Sequence, residues 1–272
     1  MLSTYSLRSK GDLPRMRCFG EKAAGSRGFG VVCSRNTART ARLRGAAPSR
    51  DAASRQRAVD AVVFDLDGTL LDTLPDLVEL TNATLRACGY PERTHDEILS
   101  FVGSGVKALI RLAVPPEASD DAVEEASKRW KRLYPEYGYK LTRPYPGIER
   151  TLGELKERGV KLAVLSNKFD GATKEVIEAF LPGFFDRVQG ESPDYPRKPD
   201  PTGLNKLLAE LGVPAQRCVF VGDSSNDTGA ACAAGAYAVG VAWGYNDAAL
   251  LKESGAELVI DRPEELLSLI DA

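Results

Sequence analysis

The chain has 272 residues, 43% of them hydrophobic and 27% charged, a globular composition that excludes a fibrous or wholly disordered protein. No apolar run reaches the roughly 18 residues of a membrane span. Net charge is −2, but residues 1–58 hold 13 lysines and arginines against 3 acids, and the remainder holds 23 basic against 35 acidic residues; an acidic main part argues against non-specific nucleic-acid binding.

In chain order, the first piece is the basic segment 1–58. It is rich in Arg, Ala, Ser and Gly, almost free of acids, and lacks the apolar core of a secretory signal. That pattern predicts an organelle transit peptide, disordered in the isolated protein; a plain basic tail, or an upstream extension before Met16, are the alternatives. Next, Ala61-Val62-Val63-Phe64 reads as a buried parallel strand ending at Asp65. Residues 76–143 show only helical patterns. Leu77, Leu80, Thr81, Thr84, Leu85 and Cys88 form one face, Thr94 with Glu97 a capping box that opens a second helix, and Val123, Ala126, Trp130, Leu133 and Tyr134 a further face. His95 falls in the first turn of the second helix without a chemical role, and Trp130 reads as packing. Ile148, Leu152 and Leu155 then mark a helix stopping at Gly159, and Leu204, Leu207, Leu208 and Leu211 another stopping at Gly212. Strands are predicted at Lys161–Leu165, Cys218–Val221, Tyr237–Val241 and Leu258–Ile260, with a weaker one at Arg187–Gln189.

Alternating strands and helices imply an α/β fold, a doubly wound parallel sheet with a Rossmann-like core. The core comprises residues 59–75 and 144–272, and 76–143 is an inserted helical cap subdomain. Ligands of such sheets bind beyond the carboxyl ends of the strands, where the insertion would form a lid.

The residues available for chemistry are restricted. His95 is the one histidine, and Cys18, Cys33, Cys88, Cys218 and Cys232 form no C-x-x-C pair. A multi-histidine metal site is therefore excluded, as is a Ser-His-Asp triad unless His95 alone serves it, and a disulfide framework or zinc site is disfavoured. Carboxylates and lysines must carry any reaction. Four groups fall at predicted strand ends: Asp65-Leu66-Asp67-Gly68-Thr69-Leu70, Ser166-Asn167-Lys168, Lys198-Pro199-Asp200-Pro201, and Gly222-Asp223-Ser224-Ser225-Asn226-Asp227. Two Asp pairs, one Lys and one Ser would converge on one crevice.

From about residue 59 to 271 the chain resembles the haloacid dehalogenase superfamily of phosphohydrolases. Asp65-x-Asp67-Gly68-Thr69, Ser166, Lys198 and Gly222-Asp223-x-x-x-Asp227 are similar to its four motifs, in order. The resemblance implies that Asp65 is the nucleophile, forming an aspartyl-phosphate, and that Asp67 is the general acid and base. It implies Mg²⁺ as cofactor, held by Asp65, the backbone carbonyl of Asp67 and Asp223, with Asp227 acting around the metal or through water. Lys198 and Ser166 would meet the phosphoryl oxygens, assisted by the Asn167 backbone N–H. A helical insertion after the first motif matches the family's first cap class. Phe64 to Thr73, Val102-Gly103-Ser104-Gly105, Ser166-Asn167-Lys168 and Gly244-Tyr245-Asn246 resemble the phosphoglycolate phosphatases within it. The cap turn Gly103, Ser104 and Gly105 is the expected specificity element, able to meet a carboxylate. Lys107 and Arg111 follow it, and Phe169 stands where relatives often have proline. Implied partners are a small phosphorylated substrate, no nucleic acid and no membrane, with a homodimer left open. The implied compartment is an organelle, plastid before mitochondrion, or the cytoplasm if residues 1–58 are no transit peptide. A pyrophosphatase, sugar-phosphate phosphatase or phosphomutase of the same fold, or a non-catalytic binding module on the same scaffold, are the alternatives. Asp67 argues against a dehalogenase, which lacks the second Asp.

Overall fold

The computed structural model describes residues 58–270. The transit-peptide reading of 1–58 lies, but for Ala58, outside the described residues, as do Met16, Cys18 and Cys33. In chain order the elements are β1 (Ala61–Phe64), β2 (Leu71–Asp72), α1 (Leu74–Ala87), α2 (His95–Phe101), α3 (Val106–Ala113), α4 (Asp120–Tyr137), β3 (Arg143–Pro144), α5 (Ile148–Glu157) and β4 (Lys161–Phe169). They continue with α6 (Asp170–Phe180), β5 (Arg187–Glu191), α7 (Thr202–Leu211), β6 (Cys218–Gly222), α8 (Ser225–Ala234), β7 (Tyr237–Val241), α9 (Ala248–Glu253), β8 (Leu258–Ile260) and α10 (Glu265–Ile270).

Six strands form a parallel sheet in the order β5-β4-β1-β6-β7-β8. The order reverses about β1, the switch point at which a doubly wound sheet opens a crevice. The side-chain period of two sorts β1 between two cores. Val62 and Phe64 join Leu152 and Leu155 of α5, Val176 and Ile177 of α6 and Leu266 of α10 on one face. Ala61 and Val63 join Leu204, Leu207, Leu208 and Leu211 of α7 and Ala231 of α8 on the other. Each large apolar side chain fully buried this way contributes about 1.5–3 kcal/mol, and β1 and the first residues of β6, covered on both faces, are apolar in succession rather than alternating. This is the α/β sheet with helices on both faces that the sequence implies.

Helices α1 to α4 form a separate layer around their own core of Leu80, Leu85, Ile110, Val123, Trp130 and Tyr134. Trp130 is buried, with its Nε1 donating to Thr81 Oγ1 at 3.2 Å. The capping box at α2 is formed: Thr94 Oγ1 accepts the Glu97 N–H at 3.2 Å, and Glu97 Oε2 accepts the Thr94 N–H at 2.7 Å. The cap joins the core through two chain crossings that pair with each other, Leu71 with Pro144 and Asp72 with Arg143. Asp76 ties the same hinge. Its buried carboxylate accepts the N–H groups of Leu141 and Thr142 and the Thr142 hydroxyl at 2.6–2.9 Å.

Two features differ from the sequence expectation. A strand begins at Arg143, inside the span read as purely helical, because a two-residue pairing partner leaves no periodic trace. The second core strand also runs four residues past Leu165, through Ser166 to Phe169. Its register against β5 shifts between Leu165 and Phe169, and that irregularity carries polar residues in extended conformation.

Candidate active site

The site sits where β1, β4 and β6 end. Asp65 follows β1 directly, and its N–H continues the ladder by donating to the Val221 carbonyl at 2.8 Å. The chain then turns sharply at Gly68, which has φ +82; a Cβ there would stand 2.3 Å from Asp223 Oδ2. Only glycine satisfies both the conformation and the close approach. The Trp243 indole N–H donates to the Thr69 carbonyl at 3.0 Å and the Tyr145 N–H to the Leu70 carbonyl at 3.1 Å, which braces the loop from behind. Asp223 follows β6, and Asp227 lies in the first turn of α8. Asp227 Oδ2 accepts the Ser224 N–H at 3.0 Å and the Ser224 hydroxyl at 2.6 Å, while Oδ1 faces the site.

Lys198 is the electrostatic centre. Its ammonium, buried, donates to Asp65 Oδ1 and Asp227 Oδ1 at 2.6 Å each and to the Leu165 carbonyl at 2.8 Å. Burial alone would pull this lysine down, but Asp227 and Asp65 outweigh it and hold it above the ordinary lysine range. Burial pushes the Asp65 carboxyl up to about 7, with Lys198 opposing and Asp227 adding. Asp223 is raised well above the usual carboxylate range by burial first, then by repulsion from Asp227 and Asp65.

The donor set fits a hard divalent cation. Asp65, Asp223 and Asp227 bring ligand oxygens within 4.8 Å of one another, so three buried carboxylates face a single lysine. Asp223 accepts the Tyr245 N–H at 2.7 Å and the Thr69 hydroxyl at 3.5 Å, neither of them charged. Burying a carboxylate without a cation is costly, and an all-oxygen cluster of this kind suits Mg²⁺. Asp67 turns its carboxylate to the Thr73 hydroxyl at 2.6 Å and to the Lys168 ammonium at 3.0 Å. That side chain is therefore apart from the trio, and any part of Asp67 in metal binding falls to its backbone carbonyl.

A cavity of about 520 Å³ opens above these groups. Asp65, Asp67, Ser166, Asn167, Lys198 and Asp223 line its floor, and the turn Gly103-Ser104-Gly105 lines its cap side with Leu99, Val106 and Trp130. All the catalytic candidates are thus brought together with the cap turn. Ser166 is buried, and its Oγ accepts the Lys168 N–H at 3.1 Å. Asn167 acts through its side chain: Nδ2 donates to the Gly103 carbonyl at 2.8 Å and the Lys198 carbonyl at 3.1 Å, and Oδ1 accepts the Lys198 N–H at 2.8 Å. The two cations after the cap turn are not brought in. Arg111 donates to the carbonyls of Pro115, Pro116 and Ala118, and Lys107 pairs with Glu124 at 3.5 Å. His95 is exposed.

Sequence reasoning gave no role to Lys168, Thr73, Asn226 or Tyr245, although each stands inside a quoted motif. Lys168 is buried, bonded to Asp67, and 5.4 Å from the centroid of the Tyr134 ring of α4. Tyr245 Oη accepts the Thr73 N–H at 3.1 Å. Phe169 stands edge-on to Trp130 and Tyr134 at 6.4 and 5.3 Å, so this side chain anchors the cap to the core.

A nucleophile-competent carboxylate, a second carboxylate on the same turn, and a buried lysine at a metal-competent acid cluster define a phosphatase site. The chain belongs to the haloacid dehalogenase-like hydrolase family, whose model matches residues 62–241. It is 34% identical over 221 residues to the phosphoglycolate phosphatase of Vibrio cholerae, covering 79% of this chain and 98% of the relative. It is 34% identical over 211 residues to the phosphoglycolate phosphatase of Aquifex aeolicus, covering 77% and 96%. Among solved structures, a candidate phosphoglycolate phosphatase from Lactobacillus delbrueckii subsp. bulgaricus superposes with a TM-score of 0.73 at 31% identity, covering 78% of this chain and 98% of that one. CbbY from Rhodobacter sphaeroides, in complex with phosphate, follows with a TM-score of 0.63 at 26% identity, covering 79% and 100%.

Proposed function

We propose that the protein is a Mg²⁺-dependent phosphatase that hydrolyses 2-phosphoglycolate to glycolate and phosphate through an aspartyl-phosphate on Asp65. The observation that carries this reading is the convergence of Asp65, Asp67 and Lys198 with the acid trio beneath one capped cavity. The choice of substrate is supported by two phosphoglycolate phosphatases that match over almost their whole length.

Asp65 attacks phosphorus in line with the ester oxygen. The phosphorus–ester bond breaks as Asp67 gives its proton to the leaving oxygen, releasing glycolate. Asp67, now a carboxylate, takes a proton from water; that water attacks the phosphoryl group and the bond to Asp65 breaks, releasing phosphate. Lys198 and the Ser166 hydroxyl stabilise the equatorial oxygens, where charge accumulates. The Asp65, Asp223 and Asp227 carboxylates with the Asp67 carbonyl would hold Mg²⁺, which supplies neutralisation of the substrate's negative charge. Lys168 and Thr73 orient the Asp67 carboxylate. The cap wall, with Leu99, Val106 and Trp130, excludes water from the reacting centre.

The test is the rate of the full-length chain with Mg²⁺ on a panel of phosphate esters. The highest kcat/KM is expected for 2-phosphoglycolate; a clear preference for pyrophosphate or a hexose phosphate rejects the substrate assignment. For residues 1–58 we propose organelle targeting, supported by their composition alone. A fluorescent fusion of the full chain enters an organelle on this reading, and diffuse cytosolic signal rejects it.

A further inference from the structure

We propose that Asn226 is a positioning residue that, together with Asn167, docks the cap turn onto the core and couples docking to Lys198. Two amides from different core segments converge on one oxygen of the cap. Asn167 in β4 donates to the Gly103 carbonyl at 2.8 Å, and Asn226 in the first turn of α8 donates to it at 3.2 Å. A carbonyl oxygen accepts two such bonds, so this one is filled entirely by the core. Arg197 adds a third link, donating to the Ser104 carbonyl at 3.2 Å.

The local backbone is built for this contact. Gly103 has φ +110, a conformation that side chains resist. The space around it is otherwise open, since an added Cβ would meet Asn226 Nδ2 at 3.8 Å. Glycine is therefore required by the backbone conformation that presents the carbonyl, not by crowding. On the core side, Asn167 holds both the N–H and the carbonyl of Lys198, and the Lys198 ammonium holds Asp65 and Asp227. The docked turn is thus one side-chain amide away from the residue that orders the nucleophile. Asn226 adjoins Asp227, so one core end of the clamp bonds the Lys198 backbone and the other is the chain neighbour of an acid that bonds the Lys198 ammonium. The consequence is that the cap turn aligns Lys198 only when it is seated, which ties substrate enclosure to assembly of the site.

This inference rests on the phosphatase reading, and orthophosphate, the product of that reaction, is the probe. The chain has two tryptophans; Trp130, which lies in the cap against Phe169 of the core, is the one placed to report docking, and Trp243 is left in place because its indole holds the catalytic loop, its emission being common to every variant compared. Orthophosphate with Mg²⁺ is titrated into the full chain while emission is followed, and turnover is measured in parallel. Asn226→Ala and Asn226→Asp are expected to need roughly 3- to 10-fold more phosphate for the same change, and to raise KM by a similar factor, the range of one neutral hydrogen bond. The melting temperature should stay within about 2 °C, because the bond joins two folded units. Gly103→Ala should give the same effect and add less than its full amount on top of Asn226→Ala, since both act on one contact. Unchanged phosphate dependence in both Asn226 variants overturns the proposal, as does a lower melting temperature that accounts for the loss, or tryptophan emission indifferent to saturating phosphate in an active enzyme. A protein that hydrolyses no phosphate ester fails the phosphatase reading instead.

Discussion

At the scale of single residues, the chemistry turns on how many charges share how little space. Asp65, Asp223 and Asp227 crowd around one lysine, and each has a partner that only this packing supplies. Asp65→Asn keeps the shape and removes the attacking oxygen; kcat for phosphate ester hydrolysis is expected to fall at least about 10³-fold, the scale on which essential catalytic groups act. Steady-state kinetics would detect it, and more than a tenth of wild-type turnover would refute the assignment. Gly68→Ala tests the geometry rather than the charge. Its Cβ would meet Asp223 Oδ2 at 2.3 Å in a backbone conformation with φ +82, so activity at saturating substrate should fall at least about 100-fold while the chain stays folded by circular dichroism.

Asp65, Ser166 and Asp223 could be placed from the sequence because each directly follows an apolar run that reads as a buried strand; Lys198 and Asp227 follow no such run and were legible only through the motif resemblance. The supports of this set could not be read. Asp76 sits in the first turn of an amphipathic helix, where an acid ordinarily complements the dipole, and its partners Leu141 and Thr142 lie some 65 positions on. Asn226 looks like filler between Asp223 and Asp227 until the cap turn is placed above it.

At the scale of elements, the strands of the core emerge close to where apolar runs put them, since a sheet covered on both faces needs continuous hydrophobicity. The misses share one cause. The extension of β4 through Ser166 and Asn167, and the two-residue ribbon of β2 and β3, are held by pairing with distant segments, which leaves no local pattern. The hinge shows how much such pairing matters. Asp76→Asn retains size but loses the charge on an acceptor of four hydrogen bonds, so unfolding free energy in urea should drop by about 1–3 kcal/mol, the range for hydrogen bonds to charged groups. A change below a few tenths would mean that the two crossings hold without it.

At the scale of the whole molecule, the capped crevice and the acid cluster make stability depend on pH and metal together. Asp65 is raised to about 7 from 3.8, and Asp223 is raised by burial as well. A carboxyl raised in the folded state favours folding when protonated. Its contribution is fully present below pH 3.8 and is lost as pH rises through about 7. In the metal-free protein the cluster therefore destabilises the fold above that point, where a divalent cation replaces the missing protons. Mg²⁺ should raise the melting temperature more at pH 8 than at pH 5 by calorimetry; equal shifts would contradict the metal site. Every proposed site residue lies at or after Asp65, so deleting residues 1–57 should leave kcat within about twofold of the full chain, and a larger loss would give that segment a part in catalysis.

The central claim is that the phosphoryl group passes through Asp65. Acid-quenching the full-length enzyme during turnover of excess 2-phosphoglycolate with Mg²⁺, followed by peptide mass spectrometry, tests it directly. The expected result is one phosphoryl group on the peptide that carries Asp65, absent in Asp65→Asn. A phosphoryl group on Ser166, or none on any residue of an enzyme trapped in rapid turnover, would contradict it.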